Sequence, residues 1–181
     1  MSDLRVLLVT VSDTRSRKED TSGDLLAKKL GDAGFAVKRH SPVRDEMLVI
    51  RELVRSAAVS NEADAIVVCG GTGLGPRDVT PEAIEPLFEK RIDGFGEEFR
   101  RRSWTATPTS PWRESPGQSG ALGARAMLSR ATAGVVDGTI IVAVPGSEAA
   151  ADLGASLLVD MLPHAVDVAT GRHGHHHPKK K

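Results

Sequence analysis

The amino-acid sequence predicts an α/β protein whose mostly parallel sheet is covered on both faces by helices. Three observations carry that reading. Short, buried-type apolar runs rich in β-branched residues alternate with stretches of helical periodicity. The chain has 181 residues, enough for one domain with a sizeable core. Apolar side chains make up 40% and charged ones 27%, a globular rather than a disordered balance.

The elements follow in order. Residues 4–11 (LRVLLVTV) read as a buried strand. Residues 21–33 read as a helix with Leu25, Leu26, Leu30 and Ala33 on one face, stopped by Gly34. Residues 35–43 read as a second strand. Asp45 then stands where an N-cap belongs, before a helix carrying Leu48, Leu53, Val54, Ala57 and Ala58. Residues 64–69 (DAIVVC) form a third strand that runs into GGTGLGPRDVT and then a helix over 81–88 with Pro81 first. Residues 94–104 suggest another helix, with Phe99 and Trp104 as packing residues. Residues 140–144 (IIVAV) are the last strand, and 147–162 a helix that ends before Pro163.

One domain over residues 1–171 is expected. Residues 105–120, with three prolines and no periodicity, read as an insertion inside it. Residues 172–181 read as a basic, His-rich tail expected to be disordered rather than a metal site. Aromatics are only 3% and there is no Tyr, so Val, Leu, Ile and Ala must build the core. Formal net charge is zero, but setting the tail aside leaves 20 Lys/Arg against 24 Asp/Glu in residues 1–171, a net of −4. A mildly acidic body argues against a nucleic-acid footprint. The single cysteine, Cys69, excludes an internal disulfide framework. No signal-peptide pattern is seen, and no apolar run approaches the roughly 20 residues of a membrane span. A cytoplasmic protein with no membrane contact is expected.

The most informative segment is the loop over residues 70–80. Gly70, Gly71, Gly73 and Gly75 follow a buried strand and precede a helix. Such a loop exposes backbone N–H groups and lets phosphate oxygens approach without Cβ obstruction. A helix N-terminus near Pro81 would add its dipole. A Walker A loop is excluded because no Gly-Lys-Ser/Thr follows, and a Rossmann fingerprint because its sixth position would be Pro76. Asp78 stands in the same loop and Asp45 follows the second strand. Each alone could be a cap, with Arg77 merely solvated. Beside a phosphate, carboxylates gain another use, since Mg²⁺ takes one or two of them together with phosphate oxygens.

Val67-Val68-Cys69-Gly70-Gly71-Thr72-Gly73, followed by Asp78-Val79-Thr80-Pro81-Glu82-Ala83, resembles the signature of the MoaB/Mog family of molybdenum cofactor biosynthesis. Gly94-Phe95-Gly96-Glu97, Ser129-Arg130-Ala131 with Gly134, and Val144-Pro145-Gly146-Ser147 continue the resemblance in order, as does the Ser12-Asp13 turn. The resemblance implies a three-layer α/β/α fold, a homotrimer or homohexamer, and molybdopterin adenylyltransferase activity. In that reaction ATP and molybdopterin give adenylyl-molybdopterin and pyrophosphate, with Mg²⁺. It implies Asp45 and Asp78 as the catalytic, metal-holding acids. It implies a substrate pocket drawn from Ser12, Asp13, Gly70, Gly71, Thr72, Gly73, Ser129, Pro145, Gly146 and Ser147. Cys69 departs from the Ser or Thr usual at its position and is expected to be a buried structural residue, not a nucleophile. A non-catalytic molybdopterin-binding member and a purely structural scaffold are the competing readings.

Overall fold

Alternation along the strands makes one sheet serve two cores. Val6, Leu8, Val67, Cys69, Val142 and Val144 belong to one core, and Leu7, Val9, Ile66, Val68, Ile141 and Ala143 to the other. That split is the period-2 geometry of a strand buried on both faces. The computed structural model describes residues 4–13, 19–105 and 126–172. Apart from Thr105 and Arg172, the expected insertion and tail lie outside the described residues.

The strands are β1 (Arg5–Thr10), β2 (Ala36–Arg39), β3 (Ala65–Cys69), β4 (Lys90–Arg91), β5 (Thr132–Val136) and β6 (Thr139–Val144). They form one sheet in the order β2-β1-β3-β6-β5-β4. Pairing is parallel from β2 through β6, while β5 runs antiparallel to both β6 and β4. The helices are α1 (Thr21–Asp32), α2 (Met47–Val59), α3 (Thr80–Ile84), α4 (Asp93–Thr105) and α5 (Glu148–Ala169). One face is covered by α1, α4 and α5, through Leu26, Leu30, Phe95, Phe99, Leu158 and Leu162. The other is covered by α2 and α3, through Ile50, Val54, Ala83 and Ile84. The result is a three-layer α/β/α fold.

Strand order places the site. From β1 the chain goes outward to β2 and then returns past β1 to β3. The sheet therefore switches direction between β1 and β3, and a crevice opens beyond their carboxyl ends. The loops that start with Ser12, Gly70 and Pro145 all leave the sheet at this edge. Backbone bonds from Val11 to Cys69 (2.8 Å), Ser12 to Val43 (2.9 Å) and Gly70 to Val144 (2.9 Å) hold them in register.

Several expectations need correction. The second strand pairs regularly only over Ala36–Arg39, with one further bridge from Val43 to Val11. Ser41-Pro42 separates the two, and proline cannot donate to a ladder. The antiparallel hairpin β5–β6 was not foreseen, because Gly134 breaks the apolar pattern of TAGVV. Its turn, Asp137-Gly138 with φ of 48° and 75°, is a recognisable hairpin signal. The helix over 81–88 divides into five-residue α3 and a 3₁₀ turn at Glu85–Leu87, where Pro86 intervenes. The last helix does not stop at Pro163 but continues to Ala169. An interior proline costs about 3 kcal/mol. Burial of Leu162 and Val166 on either side of it offsets that loss. Trp104 is 55% exposed rather than packed, whereas Phe99 is buried against Phe95 at 6.2 Å.

Leu158 is fully buried between α5 and the sheet. Leu158→Ala is expected to lower unfolding free energy by about 2–5 kcal/mol, measured by denaturant titration.

Candidate functional site

The glycine loop is shaped by what surrounds it. Gly70 (φ 114°) and Gly71 (φ 63°) occupy the left-handed region as the chain leaves β3. A Cβ on Gly70 would run into the carbonyl oxygen of Val11. One on Gly71 would run into the Thr80 hydroxyl and lie 2.9 Å from Asp45 Oδ1. Cβ atoms on Gly73 and Gly75 would lie 2.8 and 2.7 Å from Asp78 Oδ2. Glycine at 71, 73 and 75 thus leaves room for two carboxylates. Thr80 closes the loop: its hydroxyl donates to the Gly70 carbonyl at 2.8 Å and its amide to Gly71 at 2.9 Å. The Gly75 amide donates to Asp78 Oδ2 at 2.9 Å. Among the described residues, the amides of Gly71, Thr72, Gly73 and Leu74 donate to no other group. Backbone donors left unpaired in a loop are an anion cradle. The expected helix dipole adds little, since α3 is only five residues long.

Two neighbouring loops close around this one. Arg77 makes a two-pronged ion pair with Asp13, both contacts at 2.8 Å. The Asp45 amide donates to Asp13 Oδ1 at 3.2 Å. Asp13, Asp45, Arg77 and Asp78 therefore meet at the crevice. Asp45 does not cap α2; Glu46 occupies the N-cap position without a side-chain bond. The Asp45 carboxylate instead faces Gly71. Burial pushes the Asp45 carboxyl above its ordinary range, and the charges of Asp13 and Asp78 push the same way. The Arg77 guanidinium holds the Asp13 carboxyl below its ordinary value.

The other predicted residues divide. Ser12 lies half-buried at the end of β1, and Thr72 is buried inside the loop. Pro145 and Gly146 follow β6; their carbonyls accept from Cys69 Sγ at 3.8 Å and Ser22 Oγ at 2.7 Å. Cys69 is fully buried. The Ser147 hydroxyl caps α5, accepting from the Ala150 amide at 3.3 Å. Ser129 lines a separate cavity of about 560 Å³ between α3, α4 and β5, together with Arg100, Arg130 and Glu82.

Two side-chain networks were not anticipated. Arg130 reaches from the segment before β5 to the glycine loop, donating to Gly73 O at 2.9 Å and Asp78 O at 2.7 Å. The Ser129-Arg130-Ala131 motif marks the residue, but its long-range approach to the loop carries no local signal. Asp20 is fully buried; it caps α1 through the Gly23 amide at 3.0 Å and accepts from Thr10 Oγ1 at 2.6 Å and Arg39 Nη2 at 2.5 Å. An Asp immediately before a helix is a readable N-cap signal, and it was available here.

Among the described residues, no group of three or more His, Cys, Asp or Glu side chains is arranged to hold a metal ion. Asp45 and Asp78, facing one loop that presents unpaired amides, suit a hard cation that shares its coordination with phosphate oxygens.

These features define an α/β protein whose glycine loop presents unpaired amides at the carboxyl edge of its sheet. The family described as "Probable molybdopterin binding domain" matches residues 7–164. The chain is 38% identical over 164 residues to molybdenum cofactor biosynthesis protein B of Bacillus subtilis (strain 168), covering 90% of this chain and 88% of that protein. A crystal structure of molybdenum cofactor biosynthesis protein B superposes with a TM-score of 0.80 at 34% identity, covering 93% of this chain and 97% of the other. The tungsten cofactor synthesizing protein MoaB from Pyrococcus furiosus superposes with a TM-score of 0.76 at 29% identity, covering 93% and 98%. The chain belongs to this MoaB/Mog family of molybdenum cofactor biosynthesis. No helix among the described residues is long and apolar enough to cross a membrane.

A carboxyl whose pKa is raised by folding binds its proton more tightly in the folded state. Stability from that group is present at low pH and is lost as pH rises through the raised value. Asp45→Asn removes the ionisation, so it is expected to melt about 1–3 °C above the unaltered protein at about pH 7, with no gain at about pH 3. Thermal scans at the two pH values check this.

Proposed function

We propose that the chain is a molybdopterin adenylyltransferase, converting ATP and molybdopterin to adenylyl-molybdopterin and pyrophosphate. The carrying observation is the loop itself: consecutive unpaired amides from Gly71 to Leu74, with the Asp45 and Asp78 carboxylates against the same backbone. Family membership supports molybdopterin as the partner.

The chemistry joins two anions. An oxygen of the pterin phosphate forms a bond to the α-phosphorus of ATP as the bond to the bridging oxygen breaks, and the electron pair leaves with pyrophosphate. The attacking phosphate is already ionised, so the protein supplies position and charge neutralisation rather than a general base. The amides from Gly71 to Leu74 bind phosphate oxygens. Asp45 and Asp78 would hold Mg²⁺, which neutralises phosphate charge when bound. Arg77, oriented by Asp13, adds positive charge at the rim. Ser12, Thr72, Pro145, Gly146 and Ser147 shape the adjoining pocket, and Ser129 stands on the cavity side of Arg130.

A homotrimer or homohexamer in the cytoplasm is part of the same reading. Exposed Met47, Leu48 and Val49 on α2, and Trp104, Met127 and Leu128 elsewhere, support burial against other copies.

The test is incubation with ATP, Mg²⁺ and molybdopterin while pyrophosphate and adenylyl-molybdopterin are followed. Asp45→Asn and Asp78→Asn are each expected to reduce turnover by about 10²-fold or more while preserving the fold. Normal transfer in either variant would sink its assigned role. Molybdopterin binding without product from the unaltered protein would leave a non-catalytic carrier. Turnover also needs ionised Asp45. With its pKa raised in the free protein, kcat/KM is expected to fall on acidification at a pH above the ordinary aspartate value of about 4, as a profile of kcat/KM against pH would show.

A further inference from the structure

Arg130 lies far from the glycine loop in sequence yet holds two of its carbonyls and the helix that follows it. Nε donates to the Gly73 carbonyl at 2.9 Å, Nη2 to the Asp78 carbonyl at 2.7 Å, and Nη1 to the Glu82 carboxylate on α3. These acceptors lie in the middle of the loop, at its end, and on the first turn beyond it. The Arg130 side chain is 27% exposed, and with Glu82 it also walls the 560 Å³ cavity on the other side.

The direction of these bonds has a consequence for the loop. A trans peptide fixes its N–H opposite its C=O. Drawing the Gly73 carbonyl toward Arg130 turns the Leu74 amide away from it. Drawing the Asp78 carbonyl the same way turns the Val79 amide away as well. The Leu74 amide is one of the four unpaired donors of the cradle. A glycine-rich segment has many conformations of similar energy. Asp78, Thr80 and the Arg77–Asp13 pair restrain other parts of the loop, but Gly73 and Leu74 make no bond within it, so their orientation is selected from outside by Arg130.

We propose that Arg130 is a positioning residue for the phosphate cradle: it selects the loop conformation in which the amides face the ligand, without touching the ligand itself. This inference rests on the nucleotide-binding reading of the loop given above. The planar guanidinium suits the task because its donors are fixed in a fork and can serve three acceptors together. Lysine carries the charge but not the fork.

The test uses the full chain in three versions: unaltered, Arg130→Gln and Arg130→Lys. Hydrogen–deuterium exchange without ligand reads loop order through the bonded amides of Gly75, Asp78 and Thr80. Both variants are expected to exchange there about 10-fold faster, with β3 and β6 unchanged. Titration with ATP and Mg²⁺ is expected to show about 10-fold weaker binding in Arg130→Gln, with Arg130→Lys restoring little of it. Loop exchange equal to that of the unaltered protein overturns the proposal, and so does faster exchange with undiminished ATP affinity. If Arg130→Gln fails to fold, Arg130→Lys carries both measurements. If the unaltered protein binds no ATP, the nucleotide reading is what fails, and exchange alone then decides whether Arg130 holds the loop.

Discussion

Two carboxylates pressed against a bare backbone are the constraint on which the site depends. Asp45 and Asp78 occupy the space that side chains at 71, 73 and 75 would fill. The glycines therefore serve the acids as much as they serve the turn. A residue with a Cβ at any of the three would push a carboxylate away or deform the loop. That arrangement forces acidic groups toward amides that also attract anions, so the edge accumulates charge that folding alone does not favour. Burial first, and then the charges of Asp13 and Asp78, push the Asp45 carboxyl above its ordinary range.

Cations arranged around the loop answer part of that charge. Arg77 pairs with Asp13 on one side and stands near Asp45. Arg130 binds on the other side, but to backbone carbonyls and Glu82 rather than to the carboxylates of the catalytic candidates. The two arginines thus divide the labour: one compensates charge at the rim while the other orders backbone. The division has a structural origin. Arg77 lies within the loop and reaches across the crevice to Asp13, just beyond β1, whereas Arg130 arrives from the far half of the sheet, where β5 and β6 run antiparallel. The loop is gripped between the parallel and antiparallel halves of one sheet.

What could be read in advance follows from range. The buried strands β1, β3 and β6, and helices α1 and α2, announce themselves because their apolar spacing is local. Two-residue β4 and Gly-containing β5 do not, since each becomes a strand only by pairing with a neighbour. Pro163 reads as a stop because local backbone chemistry says so, and tertiary burial of Leu162 and Val166 overrides it. At the site, Gly70, Gly71, Gly73 and Asp78 are legible as one contiguous segment. Asp45 is visible as an acid after a strand, but the local reading makes it a cap, and only the turn of the chain toward Gly71 corrects that. Arg130 and the Asp13–Arg77 pair, joining positions 64 residues apart, could not be read from spacing.

Stability and chemistry are consequently drawn from different parts of the molecule. The two cores are apolar, mostly aliphatic with Phe95 and Phe99 in one of them, and carry no ionisable residue that the site uses. The site sits on loops at the sheet's carboxyl edge, where an ionised Asp45 is unfavourable for the apo fold. A phosphate and its cation would change the sign of that term, because the same carboxylate then faces positive charge. On the proposed reading, ligand binding and Asp45 ionisation would be coupled, each favouring the other, with the free protein bearing a cost that the bound one recovers. A loop held open by glycines and kept in one conformation from outside can wait in that unfavourable state without collapsing onto its own acids.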